Sequence, residues 1–241
     1  MASNNLNHPI EKSSYVRDMF ASIAPRYDVA NRVLTAGIDE RWRRRAIAQL
    51  RPPSHGEILD LCCGTGDLVF HMLRCDPTLH VTGLDFCEPM LAQARRRSRQ
   101  QPGNRSPRFV EGDVMQLPFE NAQFDGATMG FSLRNVVDID TTLREARRVL
   151  RHGARFVNLD VSKVPNPLFK KAFDLYFYGV VPVIGAWIGG SKTAYRYLPQ
   201  SLTHYPGAAE LRERFALAGF ANSNFVRLMG GAIAIHVGTA P

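Results

Sequence analysis

The chain is poor in cysteine and short of acid, and it has no long uninterrupted apolar run. Only Cys62, Cys63, Cys75 and Cys87 are cysteine among 241 residues, and no two stand in a Cys-x-x-Cys spacing. That excludes a disulfide-stapled scaffold and fits thiols kept reduced in a cytosolic protein, with no metal site expected. Apolar stretches are broken by charge, proline or glycine before they reach the ~20 residues of a membrane-spanning helix. Residues 1–14 are polar, lack the apolar core of a signal peptide, and read as a frayed tail. Acids number 22 against 30 Lys and Arg, a formal net charge of +8. Such an excess favours anionic partners, either nucleic acid or a membrane surface. The clusters Arg41, Arg43, Arg44, Arg45 and Arg95, Arg96, Arg97, Arg99 lack the interleaved aromatics of a single-strand platform. No nucleic-acid partner is therefore expected, and a peripheral contact with anionic membrane fits better.

One stretch organises what is there. Ile58-Leu59-Asp60-Leu61-Cys62-Cys63-Gly64-Thr65-Gly66-Asp67-Leu68 runs from apolar residues through an acid to two glycines, and a helix pattern follows. A strand, a tight turn and a helix start form the corner where an open α/β sheet holds a nucleotide-like ligand. Val69 stands where a dinucleotide fingerprint has its third glycine, and the lysine of a phosphate-binding loop is missing. A ligand with an adenosine but no pyrophosphate fits, which points to S-adenosylmethionine (SAM). Val81-Thr82-Gly83-Leu84-Asp85 is a second strand ending in an acid, placed to accept from both ribose hydroxyls. Phe109-Val110-Glu111-Gly112-Asp113, followed by Val114, is a third, suited to the exocyclic amine of adenine. Phe124 to Gly130 is a fourth, opening into Phe131-Ser132-Leu133-Arg134-Asn135. Each acid alone reads as a helix cap or a solvated turn; four strand ends in order read as one ligand edge. The expected cofactor residues are Asp60, Gly64, Thr65, Gly66, Asp85, Asp113, Val114 and Gly130.

Around this core the chain alternates strand and helix from Ile58 to Leu159, with a fifth strand over Phe156 to Asp160, so a parallel sheet is expected. Residues 1–50 form a tail and a helical extension, with a short helix from Val16 ended by Pro25 and a second over Glu40 to Leu50. Residues 51–241 form one catalytic-type domain. Within it, residues 163–201 break the rhythm with an apolar, helix-like insertion interrupted by Pro182, Gly185, Gly189 and Gly190. The insertion reads as a packed extra helix or as a greasy wall that also touches a bilayer. A helix over Ala208 to Leu217 and an antiparallel hairpin, Asn224 to Leu228 with Ala232 to Val237, close the pattern.

Several segments resemble the ubiquinone/menaquinone biosynthesis C-methyltransferase family, a branch of the class I SAM-dependent methyltransferases. They are Met19 to Asp28 (Met-Phe-Ala-Ser-Ile-Ala-Pro-Arg-Tyr-Asp), Trp42-Arg43, Gly64-Thr65-Gly66-Asp67, Leu117-Pro118-Phe119, Leu133-Arg134-Asn135 and Tyr195-Arg196-Tyr197-Leu198. The similarity runs from about Val16 to Gly238. The resemblance implies a Rossmann-like α/β fold: a mostly parallel seven-stranded sheet, helices on both faces and a C-terminal antiparallel hairpin. It also implies an N-terminal extension over the cofactor mouth and a prenylated quinol as substrate. This chain departs from the family pattern at Ser132, at Asp160-Val161-Ser162 and at His152-Gly153-Ala154.

Methylation of a ring carbon needs an electron-rich, reduced ring and a group that stabilises the phenolate. Arg134 is the expected stabiliser, with Asn135 as an orienting donor. Tyr27, Phe177, Trp187 and Tyr197 are the expected substrate residues, the first and last polar, the middle two as walls for the prenyl tail. Demethylmenaquinol, demethylphylloquinol and the benzoquinol precursor of ubiquinone all remain open, with the naphthoquinol favoured by general likeness. A nucleic-acid or protein methyltransferase is the competing class, and a SAM-binding module without catalysis a third. The Asn/Asp-Pro-Pro-Tyr/Phe signature of exocyclic-amine methylation is absent after the fourth strand, which argues against the second class. Cytoplasmic placement at the inner face of a membrane, and self-association into a homo-oligomer, are further expectations.

Overall fold

The computed structural model describes residues 9–101 and 106–241. Seven strands form one sheet: β1 Glu57–Leu61, β2 His80–Asp85, β3 Arg108–Glu111, β4 Phe124–Gly130, β5 Leu150–Val161, β6 Ala221–Leu228 and β7 Ile233–Thr239. Their order is β3-β2-β1-β4-β5-β7-β6. The first five are parallel, and β7 pairs antiparallel with both β5 and β6. The chain order reverses beside β1, so the carboxyl ends of β1, β2 and β4 surround one crevice, the place where open α/β sheets bind ligands. The expected α/β class, strand number and final hairpin are all present.

The central strands are apolar on both faces because helices cover both. On one face Ile58, Val81 and Val157 pack with Ile47 and Leu50 of α3 (Asp39–Leu50), Val69 and Met72 of α4 (Asp67–Cys75), and Leu91 of α5 (Glu88–Gln100). On the other, Leu59, Leu61, Met129 and Phe156 pack with Leu143 and Ala146 of α6 (Ile139–Arg148) and with Phe215 of a later helix over Ala208–Leu217. Phe156 stacks against both Phe215 and Phe220, centroids 5.4 and 5.8 Å away, and those two rings touch each other at 5.4 Å. α6 begins where it should, because the Asp138 carboxylate accepts from the main-chain N–H groups of Asp140 and Thr141.

Two segments differ from the sequence expectation. The expected N-terminal tail is already helical from Pro9, in α1 (Pro9–Ile23), while residues 1–8 lie outside the described residues. Tertiary packing supplies the reason: Val16, Met19 and Ile23 are buried against Tyr195 and Tyr197. A 3-10 turn over Ala24–Arg26 then leads into α2 (Tyr27–Leu34), a further helix between the two expected before the first strand. The insertion is helical without a break from Pro167 to Gly189: α7 (Pro167–Asp174), a π-turn over Leu175–Val180 and α8 (Val181–Gly189). Contrary to the expectation that no segment is long enough, these 23 residues meet the length and composition of a bilayer-crossing helix. Pro182 does not break the run because it follows directly on the π-turn, where the regular i→i−4 bonding is already interrupted. Gly185 and Gly189 do not break it because Tyr195, on α9 (Lys192–Thr203), fills the space they leave. A Cβ at either glycine would stand 2.1 or 2.3 Å from the Tyr195 ring. The remaining helix, Ala208–Leu217, is α10.

Candidate active site

The cleft at the carboxyl edge of the sheet has about 970 Å3 of empty space, its open mouth included. Its floor is the β1–α4 turn. Gly64 and Gly66 have φ of +55° and +85°, the left-handed region that glycine enters without strain. A Cβ at Gly64 would meet nothing within 4 Å, so the main chain there faces open space. Gly66 does not line the cleft; a Cβ there would press on Phe70, 2.9 Å away, so this glycine shapes the turn and starts α4. Of the expected cofactor residues, Asp60, Gly64, Thr65, Asp85, Asp113, Val114 and Gly130 line the cleft together.

The acids are held by their own turns. Asp85 takes the Gly64 N–H at 2.8 Å and the Cys87 N–H at 2.9 Å, one on each oxygen. Burial pushes its pKa up to about 6, held back by those donors. Asp60 accepts from the Thr128 hydroxyl at 2.6 Å, and burial pushes it up to about 7 against the pull of that hydroxyl and of Arg43. Asp113 accepts the Met115 N–H at 2.8 Å. A carboxylate oxygen accepts more than one hydrogen bond, so each acid keeps capacity for a ligand. Among the described lining residues the cations are few, and Arg43 is committed to Asp39 and Asp67 at 3.4 and 3.2 Å. Acids, hydroxyls and open glycine backbone suit a ligand with a ribose diol, an amine and an ammonium, and suit a pyrophosphate poorly. The residues present fit SAM.

The roof comes from the N-terminal helices. Val16 and Phe20 of α1 and Tyr27 of α2 line the cleft. α2 is fastened to the floor: the Thr65 hydroxyl donates to Asp28 at 2.6 Å, and Arg97 donates to Asp28 at 2.9 Å and to Asp67 at 2.8 Å. Burial raises the Asp28 pKa first, and the nearby Asp67 adds to it. On α1, Lys12 donates to the Val136 carbonyl at 2.6 Å, across the cleft from its own helix. The sequence reading named Tyr27 but missed Val16, Phe20, Phe86, Phe131, Val136 and Val137, which give the cleft its apolar share. Of these, Phe20 lies in the Met19–Asp28 segment and Phe131 just after the fourth strand; the others carried no local signal.

The Leu133–Asn135 turn after β4 separates two neighbours that the sequence paired. Asn135 lines the cleft, and both atoms of its side-chain amide are buried with no hydrogen-bond partner. Arg134 points away from the lining. Its guanidinium is bound to the Asp160 carboxylate, to the Phe131 carbonyl at 2.7 Å and to the Ser201 hydroxyl at 3.2 Å. Burial works against its charge, but the charge and hydrogen bond of Asp160, together with Tyr27 and Tyr205, hold its pKa above the ordinary value. Arg134 thus ties the turn to β5 and α9. Ser132 does line the cleft, its hydroxyl donating to the Gly130 carbonyl at 3.0 Å.

The other expected substrate residues lie apart from the cleft lining. Phe177 is buried in the main core beside Val181. Tyr197 is buried under α1, edge-on to Tyr15 at 5.7 Å. Trp187 is 86% exposed on the outside of α8. Among the described residues no group of His, Cys, Asp and Glu is placed to hold a metal, and all four cysteines are free.

Known proteins can now be set beside this geometry. A SAM-dependent methyltransferase of Thermotoga maritima, described as a possible histamine N-methyltransferase, superposes with a TM-score of 0.67 at 17% identity, covering 93% of this chain and 99% of that one. Phosphoethanolamine N-methyltransferase 2 of Haemonchus contortus, solved with SAM, gives 0.59 at 14% identity over 83% of this chain and 52% of its own. The fold is therefore that of the class I SAM-dependent methyltransferases. Sequence similarity reaches further. A demethylmenaquinone methyltransferase of Thermus thermophilus is 42% identical over 92% of this chain and 100% of its own. One from a Roseiflexus species is 39% identical over 99% and 98%. A ubiquinone/menaquinone biosynthesis C-methyltransferase of Roseobacter denitrificans is 37% identical over 95% and 91%. The ubiE/COQ5 methyltransferase family pattern matches residues 9–240, from the first turn of α1 to the residue after β7. A match that takes in roof, floor and final hairpin alike makes this chain a member of the ubiE/COQ5 methyltransferase family, SAM-dependent C-methyltransferases of menaquinone and ubiquinone biosynthesis.

Proposed function

We propose that this protein methylates the ring carbon of a prenylated naphthoquinol, converting demethylmenaquinol to menaquinol. The observation that carries the reading is the unpartnered amide of Asn135 in the wall of the cleft. A buried amide without partners is costly, about 1–3 kcal/mol, unless a ligand completes it. A quinol ring offers both an oxygen to accept from its N–H2 and a hydroxyl to donate to its carbonyl. Phe131, Val136 and Val137 beside it offer apolar surface to the flat ring. The names of the relatives at 37–42% identity support the naphthoquinol specifically.

Bound SAM supplies an electrophilic methyl group on a sulfonium centre. The protein's own part is to hold the two partners in line and to keep water out. Asp85 and Gly64 would hold the ribose, Asp113 and Val114 the adenine end, and Asp60 the amino-acid end. Asn135 orients the quinol so that its electron-rich carbon faces the floor, and its N–H2 supports the ring oxygen once that hydroxyl has given its proton to water. Arg134 acts as a positioning residue, because its bond to Asp160 fixes the turn on which Asn135 stands. Roof closure by α1 and α2 excludes water.

A second reading, methylation of the benzoquinol precursor of ubiquinone, has support from the Roseobacter relative, whose name covers both pathways. Labelled SAM incubated with each acceptor, reduced and oxidised, followed by product mass, separates the two. The expected product is methylated naphthoquinol, formed only under reductant. Methylation of the benzoquinol alone would overturn the first reading. Equal turnover of an acceptor held oxidised would overturn the mechanism.

A further inference from the structure

The outer side of the insertion is apolar and uncovered. Leu168, Leu175, Val183 and Trp187 are 81, 75, 69 and 86% exposed. They recur at intervals close to whole helical turns, so they form one stripe along α7, the π-turn and α8. The opposite side of the same helix is used by the protein itself: Phe177 and Val181 enter the core, and Gly185 and Gly189 hold Tyr195. A helix that spends one side on its own domain does not cross a bilayer, although its length and composition would allow it. It lies along the body. α2 packs beside α8, and the Tyr176 hydroxyl donates to the Leu34 carbonyl at the end of α2. Val29 and Val33 of α2, 60 and 51% exposed, extend the apolar stripe. The same short helix presents Tyr27 to the cleft, so this surface adjoins the roof of the active site.

Charge decides what covers it. Residues 163–201 hold five bases, Lys163, Lys170, Lys171, Lys192 and Arg196, and one acid, Asp174. That acid is already bound to Lys170. A second copy of the chain set face to face on this stripe would bring like charges together, because a two-fold interface meets itself. An anionic lipid surface meets both features: apolar side chains enter the acyl boundary, bases stay at the headgroups, and Trp and Tyr sit between. We infer that the outer face of α2 and of the helical run Pro167–Gly189 docks on an anionic membrane, with the run lying in the plane of the interface. The inference is independent of which ring the enzyme methylates.

Docking is read by sedimentation of the full chain with phosphatidylcholine vesicles, with or without ~30 mol% phosphatidylglycerol, a charge density sufficient to attract polybasic surfaces. The chain is expected to sediment with the anionic vesicles, less with the neutral ones, and less again at high salt. Leu175→Glu with Val183→Glu, both at exposed positions, is expected to weaken binding at least tenfold while thermal stability stays unchanged. Lys163→Glu with Lys171→Glu is expected to abolish the preference for anionic over neutral vesicles. Tryptophan emission is expected to shift to the blue on vesicle addition, and not in Trp187→Phe. Failure to bind either vesicle overturns the inference, as does equal binding by the Leu175 and Val183 variant. A concentration-dependent dimer that the same variant dissociates, without vesicle binding, would assign the face to a second copy instead.

Discussion

The roof-to-floor contact at Asp28 gives the sharpest test of how this site holds its cofactor. Asp28 stands one residue from the cleft-lining Tyr27, and it joins α2 to the glycine turn through the Thr65 hydroxyl at 2.6 Å and Arg97 at 2.9 Å. Its replacement by alanine removes two bonds to a carboxylate, one from the Thr65 hydroxyl and one from the Arg97 guanidinium. Such bonds are worth about 1.5–3 kcal/mol each when shielded. The Asp28 side chain is 37% exposed and that of Arg97 26%, so solvent screens the pair and the low end applies. Arg97 also keeps its bond to Asp67, which limits the disturbance. A net loss of about 1.5 kcal/mol corresponds to roughly a tenfold weaker affinity. The Asp28→Ala protein should therefore melt a few degrees lower and, its roof no longer held over the floor, bind S-adenosylhomocysteine up to about tenfold more weakly by titration calorimetry. Thr65→Ala alone should also weaken binding. The double variant should lose less than the sum, because the two residues act through one bond. Strictly additive losses, or an Asp28→Ala protein that binds like the parent, would refute a roof fastened through this contact.

Two further outcomes follow from the same geometry. Burial raises the pKa of Asp60 to about 7 and of Asp85 to about 6, against about 4 in an unfolded chain. Between those values the ligand-free folded protein binds more protons than the unfolded chain, so this contribution to stability falls as pH rises from 4 to 7. Ligand donors need the ionised carboxylates, so the melting shift given by S-adenosylhomocysteine should grow over the same window; a shift that is flat from pH 5 to 8 would contradict these roles. Asn135→Ala should lower kcat and kcat/KM together with little change in stability, whereas Arg134→Ala should destabilise by about 3–5 kcal/mol, because it strands Asp160 as a lone buried charge. Calorimetric melting of both proteins, beside their kinetics, checks the contrast.

Much of this site was legible because its signals are local. A strand ending in an acid, a glycine that needs positive φ and a helix start within a few residues are written at Asp60, Gly64 and Gly66. The same grammar repeats at Asp85 and Asp113. What the sequence hid depends on contacts between distant segments. Residues 9–14 look like a polar tail until α1 packs on Tyr195 and Tyr197. The insertion looks interrupted until Tyr195 fills the gaps at Gly185 and Gly189. Arg134 and Asn135 are adjacent and equally polar. Which one faces the cleft is settled by Asp160, 26 residues further on, which captures the arginine and leaves the amide free.

The sheet order has a consequence for how the chain is made. β7 lies between β5 and β6, bonded to both, although it is the last strand to be synthesised. In chain order β6 precedes the strand it pairs with, and until β7 is in place β6 has no neighbour to join and the antiparallel side of β5 is bare. The parallel strands and the crevice at their carboxyl ends are complete in sequence by Val161. Assembly of the sheet thus falls into an early stage that builds the cofactor corner and a late one in which a single segment slots in and seals both exposed edges. Until that moment the incompletely folded protein carries two open strand borders, the kind of surface that invites mispairing and chaperone attention.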